Sequence, residues 1–389
     1  MQIKHILFAF SLVATGAFAQ PSIEITKTIT APGFTPPIWV SLSGFSGEAS
    51  EVLRFDLYVQ GFGFTNAEAA QYILSGSNNG NLEGKVTDNV TKALILQPKA
   101  YSGAALRRQA HAFVDDFTVA LGRKPICLTK VAFKGENNRH SEIYIADFDG
   151  HNVQPVTRDN SIAAAPCWVP GHLALYYESY MLGNPCIFYQ NLASGERRAF
   201  AHYNGSNFSP AVSPDGSEVA MILDKDGWTD LYVCGRDSSD PKRLTRSPQD
   251  ESSPCWSPDG RWICYAAKDR EHRTLKKISP SGGTAQTIPT SGMPSPSEPD
   301  WSPDGQWIAF TVQHARDFGI CVVPAKGGEA TELVSGEDPS WAPNSRTLMF
   351  GRRQGGRYTL CLLDVPTKQY KDVSRFTGIS SQSQPSWAR

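Results

Sequence analysis

The sequence predicts two folded regions in series: a small N-terminal α/β domain, followed by an all-β six-bladed β-propeller that is closed by the C-terminal strand. Three observations carry this expectation. The chain has 389 residues, more than the roughly 250–300 that a single hydrophobic core organises. A Pro-x-Trp motif recurs through the second half, the mark of a repeat architecture. The segment ahead of the repeats mixes strand alternation with helical periodicity instead. With 33 Gly, 27 Pro and 40% hydrophobic residues the chain is turn-rich and folded, and long helical bundles are excluded. Its 37 Lys+Arg and 38 Asp+Glu leave a net charge of -1, so no overall field recruits nucleic acid or anionic lipid.

Met1 to Ala19 has the layout of a secretory signal, with Lys4 and His5 at the start, an apolar run from Ile6 to Ala14 and an Ala17-Phe18-Ala19 cleavage site. A membrane anchor needs about 20 apolar residues, so export with cleavage near Gln20 is expected, with no membrane span in the mature chain. Residues 20–36 carry Pro21, Pro32 and Pro36 and read as an extended arm. Such an arm could bind by adding a strand to a partner, and its candidate contact residues are Ser22, Ile23, Glu24, Ile25 and Thr26.

The α/β domain is expected over residues 37–124. Ile38 to Leu42 alternates as a strand, and Glu48 to Gln60 places Ala49, Leu53 and Leu57 on one helical face. Ala69 to Ser75 and Leu82 to Thr87 flank Asn78-Asn79-Gly80-Asn81 as a hairpin, and Ala93 to Leu96 adds a strand. Ser102 is a candidate cap for a helix whose Leu106, Ala110, Phe113, Phe117 and Leu121 share a face, ending at Gly122. A hinge is expected near Gly122 to Pro125.

The propeller is expected over residues 125–389. The repeated motif places Trp168, Val212, Trp256, Trp301, Trp341 and Trp387 at intervals of 40 to 46 residues, the period of a four-stranded blade. Ser-Pro-Asp-Gly segments after the motif are turn chemistry, and runs such as Trp307-Ile308-Ala309-Phe310 are strands. Three strands between Ile126 and Thr157 lack a preceding motif, and the motif at Pro385 to Ala388 lacks following strands. The C-terminus therefore completes the first blade and closes the ring. Recurrence once per blade assigns Trp168, Trp256, Trp301, Trp341 and Trp387 to packing between blades, and Asp-Gly to hairpin turns.

Chemistry-bearing motifs are scarce. Gly44-Phe45-Ser46-Gly47-Glu48 approaches a nucleophile elbow but ends in Glu. The 8 histidines include no HxH or HExxH, and the 8 cysteines no CxxC, so no catalytic residue, metal ligand or cofactor is expected. Several cysteines lie in apolar strand-like runs such as Trp262-Ile263-Cys264-Tyr265 and are expected to act as small buried hydrophobes. The loops leading into the innermost strands converge on one face of a propeller channel. They carry Asn207, Phe208, Asp250, Glu251, Glu298, Glu337, Asp338 and Gln384, an acidic funnel that could take a cation or the basic or amide groups of a partner.

The signal segment, the α/β domain and the Pro-x-Trp-Ser-Pro-Asp-Gly repeats followed by Trp-Ile-Ala-Phe or Trp-Ile-Cys-Tyr together resemble the TolB family, over nearly the whole mature chain. That resemblance implies a monomeric, non-enzymatic periplasmic protein of the Tol-Pal system. It would bind the peptidoglycan-associated lipoprotein Pal through the channel face, at Asn207, Asp250, Glu251, Glu298 and Asp338. The mature N-terminus would reach TolA or other inner-membrane Tol proteins, in the service of outer-membrane integrity and cell division. Ser22 to Thr26 departs from the family's Asp-Ser-Gly stretch. The competing expectation, from a different class, is an exported propeller hydrolase or lyase acting on peptide or carbohydrate in the channel.

Overall fold

The computed structural model describes residues 34–389 apart from residues 138–139, 226, 238–239, 247–249, 270–271, 374–375 and 377. The signal segment and the arm residues Ser22, Ile23, Glu24, Ile25 and Thr26 lie outside the described residues. Among the described residues no helix is long and apolar enough to cross a membrane.

The N-terminal region forms one five-stranded sheet covered by two helices. β1 (Ile38–Ser43) lies between β2 (Phe62–Phe64) and β3 (Tyr72–Ser77), parallel to both, and β4 (Leu82–Asp88) and β5 (Leu94–Tyr101) follow antiparallel. Helix α1 (Gly47–Tyr58) makes the crossover from β1 to β2, because parallel neighbours need a long connection. It buries the face expected of it, Ala49, Leu53 and Leu57. β2 was not legible, since three residues are too few to show a period. Helix α2 (Leu106–Ala120) buries Ala110, Phe113 and Phe117 and ends before Gly122, whose φ of 74° suits the left-handed position beyond a helix. Ser102 does not cap it: the N-cap is Ala105, without a side-chain bond.

Six four-stranded antiparallel sheets follow. The innermost strands are Ser381–Trp387, Ala163–Trp168, Asn207–Val212, Asp250–Trp256, Pro296–Trp301 and Glu337–Trp341, for blades one to six. Ring closure is as expected, because Ser381–Trp387 pairs with Lys130–Asn137 from the beginning of the propeller. The Ser-Pro-Asp-Gly segments are turns with a shared wiring. In blade three Ser213 Oγ donates to Asp215 Oδ1 at 2.6 Å and accepts the Glu218 N–H at 2.9 Å, and Gly216 sits at φ 72°. Ser257 with Asp259 and Ser302 with Asp304 repeat the 2.6 Å contact.

The tryptophans join blades in pairs. The indole N–H of Trp168 reaches the Ser386 carbonyl at 3.0 Å, that of Trp256 the Ala211 carbonyl at 2.9 Å, and that of Trp341 the Asp300 carbonyl at 3.2 Å. Each acceptor is the middle residue of the preceding blade's Pro-x-Trp or Pro-x-Val motif. Trp301 instead bonds Gly305 within its own blade at 3.4 Å, and Trp387 bonds Thr129 Oγ1 at 2.7 Å. The cysteines follow their expected role: seven of the eight are buried and all eight are free.

The two regions share one core. Val40, Leu57, Phe62 and Phe117 of the α/β sheet belong to the same buried cluster as Phe133, Phe148, Met349, Leu362 and Trp387 of blades one and six. The expected hinge is instead a tether. Asp115 of α2 accepts the N–H groups of Ile126, Cys127 and Leu128 at 3.0, 2.8 and 3.2 Å, and Arg123 donates to the Gln60 carbonyl at 3.0 Å. Two buried and two part-buried bonds around so short a connection restrict the freedom that a hinge requires. His111 of α2 lies between Asp56 of α1, at 2.7 Å, and Asp149 of blade one, at 3.2 Å. Burial pushes its pKa down, but the two carboxylates outweigh this and hold it up at about 10.

Removal of Pro385–Arg389 takes away the 2%-exposed Trp387 and half of the strand that closes the ring. The truncated protein is expected to lose its cooperative thermal transition. Trp387→Phe, which removes the bond to Thr129 but keeps an aromatic ring, should lower stability by about 1 kcal/mol. Circular dichroism melts of the two variants check both outcomes, and an unchanged melt for the truncation would refute the closure argument.

Candidate functional site

A cavity of about 730 Å³ runs along the propeller axis. Each innermost strand contributes one residue in the left-handed region: Ala165, Ser209, Ser253, Glu298, Asp338 and Gln384, with φ of 47°, 53°, 51°, 52°, 55° and 51°. Each is followed by proline, and in every innermost strand the pairing register shifts here. These are β-bulges, and proline suits the unpaired position because it has no N–H to satisfy. A non-glycine residue in this conformation costs of the order of 1–3 kcal/mol. The ring closure and the neighbouring bonds hold six of them in register around the channel.

Across half of the ring the bulges are wired together. Glu298 Oε2 accepts the Asp338 N–H at 3.1 Å, Asp338 Oδ2 accepts the Gln384 N–H at 3.2 Å, and Gln384 Oε1 accepts the Ala165 N–H at 2.9 Å. In each link the side chain of one blade's bulge holds the backbone of the next. The relay ends at Ala165, which has no polar side chain, and Glu178 Oε1 takes over by accepting the Ser209 N–H at 2.6 Å.

The carboxylates here are poor anions. Burial raises the Asp338 pKa well above the carboxylate range, the charges of Glu298 and Glu337 raise it further, and the Gln384 N–H offsets this only partly. Glu337 is raised by burial and by Glu298. Burial pushes Glu178 up to about 6, opposed by the Ser209 N–H and by Lys134. Further along the axis Arg389 pairs with Asp300 and donates to the Trp341 and Trp301 carbonyls at 3.1 and 3.3 Å. Two half-buried carboxyls with shifted pKa values beside a channel are also what proton-transfer chemistry would need. Here one oxygen of each accepts a backbone N–H group.

The structure brings together Glu298, Glu337, Asp338 and Gln384, but not every residue expected beside them. Asn207 is buried and holds its own loop, accepting the Tyr203 N–H at 2.9 Å and donating to the Pro185 and Tyr203 carbonyls at 3.2 and 3.0 Å. Glu251 is buried and accepts from Thr245 Oγ1 at 2.6 Å, which ties the start of blade four to the segment that leaves blade three. Asp250 is exposed and bonds Thr229 Oγ1 at 3.1 Å, and Phe208 is half-buried. Glu178, Asp300 and Arg389 were missed, since they precede no Pro-x-Trp motif as loop residues do. The residue before each motif proline was the available signal for the ring itself.

Asp338→Asn keeps an acceptor for the Gln384 N–H and removes the repulsion from Glu298 and Glu337. A carboxyl whose folded pKa is raised above the ordinary 3.8 loses stability as pH climbs past that value. The variant should therefore unfold a few degrees above the parent at about pH 8, with the difference fading towards about pH 4. Melting curves at the two pH values decide this; a variant less stable at the higher pH would contradict it.

The α/β domain touches the opposite end of the blades, where the innermost strands finish: Thr347 Oγ1 donates to the Val59 carbonyl at 3.4 Å and Gln369 Nε2 to the Phe62 carbonyl at 3.3 Å. The first residues of those strands, at the inlet end, include Phe208, Asp250 and Glu337. A family model described as TolB beta propeller domain matches residues 118–389. The Tol-Pal system protein TolB of Bordetella parapertussis is 29% identical over 334 residues, covering 82% of this chain and 75% of that protein. TolB from Acinetobacter baumannii shares the fold with a TM-score of 0.79 at 19% identity, covering 92% of this chain and 97% of that one. A putative TolB from Agrobacterium tumefaciens aligns with a TM-score of 0.53 at 17% identity, over 66% of this chain and 91% of that one. The repeat, its six-bladed ring and the family model that spans them agree, and the chain belongs to the TolB family.

Proposed function

We propose that this protein is a periplasmic, non-enzymatic scaffold of the Tol-Pal system, binding the lipoprotein Pal at the inlet face of the propeller and inner-membrane Tol proteins through its N-terminal region. The observation that carries the reading is the division of the molecule into two faces. The α/β domain docks where the innermost strands end, with Thr35 donating to the Pro366 carbonyl at 2.8 Å, and the inlet face at the other end carries the channel mouth. A scaffold needs two surfaces that two partners can occupy together, and this arrangement supplies them. The name Tol-Pal system protein TolB of the Bordetella relative supports the choice of partners.

A non-enzymatic role accords with the site chemistry. General acid–base catalysis needs a titratable group within reach of a substrate proton. The channel carboxyls Glu178, Glu298 and Asp338 each accept a backbone N–H that holds a bulge in place. On this reading Asp250, Phe208, Glu337, Glu298, Asp338 and Gln384 contribute to the Pal surface, Asn207 and Glu251 shape the loops beneath it, and Ser22, Ile23, Glu24, Ile25 and Thr26 belong to the arm that reaches a TolA-like partner. No cofactor enters this role, and the protein acts as a monomer.

Calorimetric titration of residues 20–389 with the soluble domain of Pal from the same genome tests the reading. Micromolar or tighter binding is expected, unaffected by deletion of residues 20–36. Phe208→Ala with Asp250→Ala should weaken binding by about tenfold, equivalent to about 1.4 kcal/mol. Absence of heat with every protein sinks the scaffold reading, as would turnover of a peptide or glycan lost on Glu298→Gln.

A further inference from the structure

Away from the channel, the junction between α1, α2 and the segment entering blade one holds three donor groups of different chemistry. The Asp56 carboxylate, a His111 ring nitrogen and the Cys127 thiol have their donor atoms within 4.8 Å of one another, and all three side chains are buried. Buried polar atoms are ordinarily hydrogen-bonded, yet Asp56 Oδ1 and Gln60 Oε1 have no hydrogen-bond partner among the described residues. Both residues are at most 1% exposed. The Gln60 amide lies against the cluster, its Nε2 at 3.3 Å from Cys127 Sγ and 3.1 Å from the Asp56 carbonyl oxygen. Two unused acceptor oxygens therefore belong to residues packed with an imidazole and a thiol in one buried cluster.

We propose that Asp56, His111 and Cys127 form a zinc site at the domain junction. A carboxylate, an imidazole and a thiolate are the donor types zinc takes together, and four-coordination leaves one position for Gln60 Oε1 or a water. His111 ligates through Nδ1, which faces Asp56 at 2.7 Å. Its other nitrogen, which has no hydrogen-bond partner among the described residues, lies 3.2 Å from Asp149 Oδ2, close enough for that carboxylate to orient a ligating histidine after a small shift. Asp149 is held in turn by Arg107. Bonds of about 2.0–2.3 Å around a tetrahedral ion bring donors to within roughly 4 Å of one another, so binding draws the three side chains together by a fraction of an ångström to about 1 Å.

Charge balances as well. Zinc binding breaks one N–H bond of His111 and the S–H bond of Cys127, releases both protons to solvent, and forms bonds to Nδ1, Sγ and a carboxylate oxygen. Two positive charges replace two protons, so the dry junction keeps its net charge, which a low-dielectric site demands. The ligands come from α1, α2 and the segment before blade one, and Asp149 from blade one, so the ion would clasp the two regions. Their wide separation in sequence conceals them from any spacing motif.

The test uses untagged protein stripped with a chelator, then supplied with zinc chloride or cobalt chloride and desalted. About one zinc per chain by elemental mass spectrometry is expected, and with cobalt a thiolate-to-metal charge-transfer band in the near ultraviolet. Cys127→Ser should abolish that band, weaken zinc binding at least tenfold and remove the zinc-dependent rise in melting temperature. Asp149→Asn should retain the band and weaken binding by about 10- to 100-fold. A parent protein folded by circular dichroism that retains no metal overturns the proposal, and so does equal zinc retention by folded Cys127→Ser.

Discussion

A ring of sheets is stable only if its last sheet is hydrogen-bonded and packed against its first, and here one strand, Ser381–Trp387, meets that condition. It pairs with Lys130–Asn137 across nearly the whole length of the propeller. It also carries the sixth motif, so closure, inter-blade packing and the channel wall depend on the same seven residues. Trp387 bonds Thr129, its backbone N–H reaches Ser340 Oγ at 3.0 Å, and Gln384 holds the bulge of the next blade. Because the strand belongs to the core that runs beneath the α/β domain, closure also fixes the platform on which that domain rests.

The channel shows how a closed ring accommodates local strain. Six bulges in the left-handed conformation would be disfavoured one at a time. Arranged around an axis, they turn N–H groups towards neighbouring blades, and three consecutive side chains accept them in sequence. Burial and the nearby Glu298 charge both favour the protonated forms of Glu337 and Asp338. The channel wall is a structural network first, and a partner that enters meets groups already committed to one another.

Between the α/β domain and the propeller, polarity and packing act together. The shared apolar cluster removes water, and the Asp115 carboxylate then anchors three successive backbone N–H groups. A region with its own sheet and helices is thereby held as firmly as a blade. At this packed junction Phe148 contacts both His111 and Trp387, with ring centroids at 5.6 and 6.3 Å.

Periodicity made most of the architecture legible. A motif recurring every 40 to 46 residues identified six blades, their turns and the strand that closes them, because each blade must solve the same packing problem with the same residues. Amphipathic spacing identified α1 and α2 for the same reason. Three-residue β2 and the uncapped start of α2 were invisible, since neither leaves a periodic or capping signal. The site was only partly readable. Loop position correctly grouped Glu298, Glu337, Asp338 and Gln384, but the sequence could not tell that Asn207 and Glu251 turn inward to hold their own loops. Nor could it bring Glu178 into the ring or set Asp56, His111 and Cys127 side by side. Composition and spacing are local properties of the chain and determine which elements form. Which side chains then meet depends on contacts between residues far apart in sequence, and only the closed, packed ring decides those.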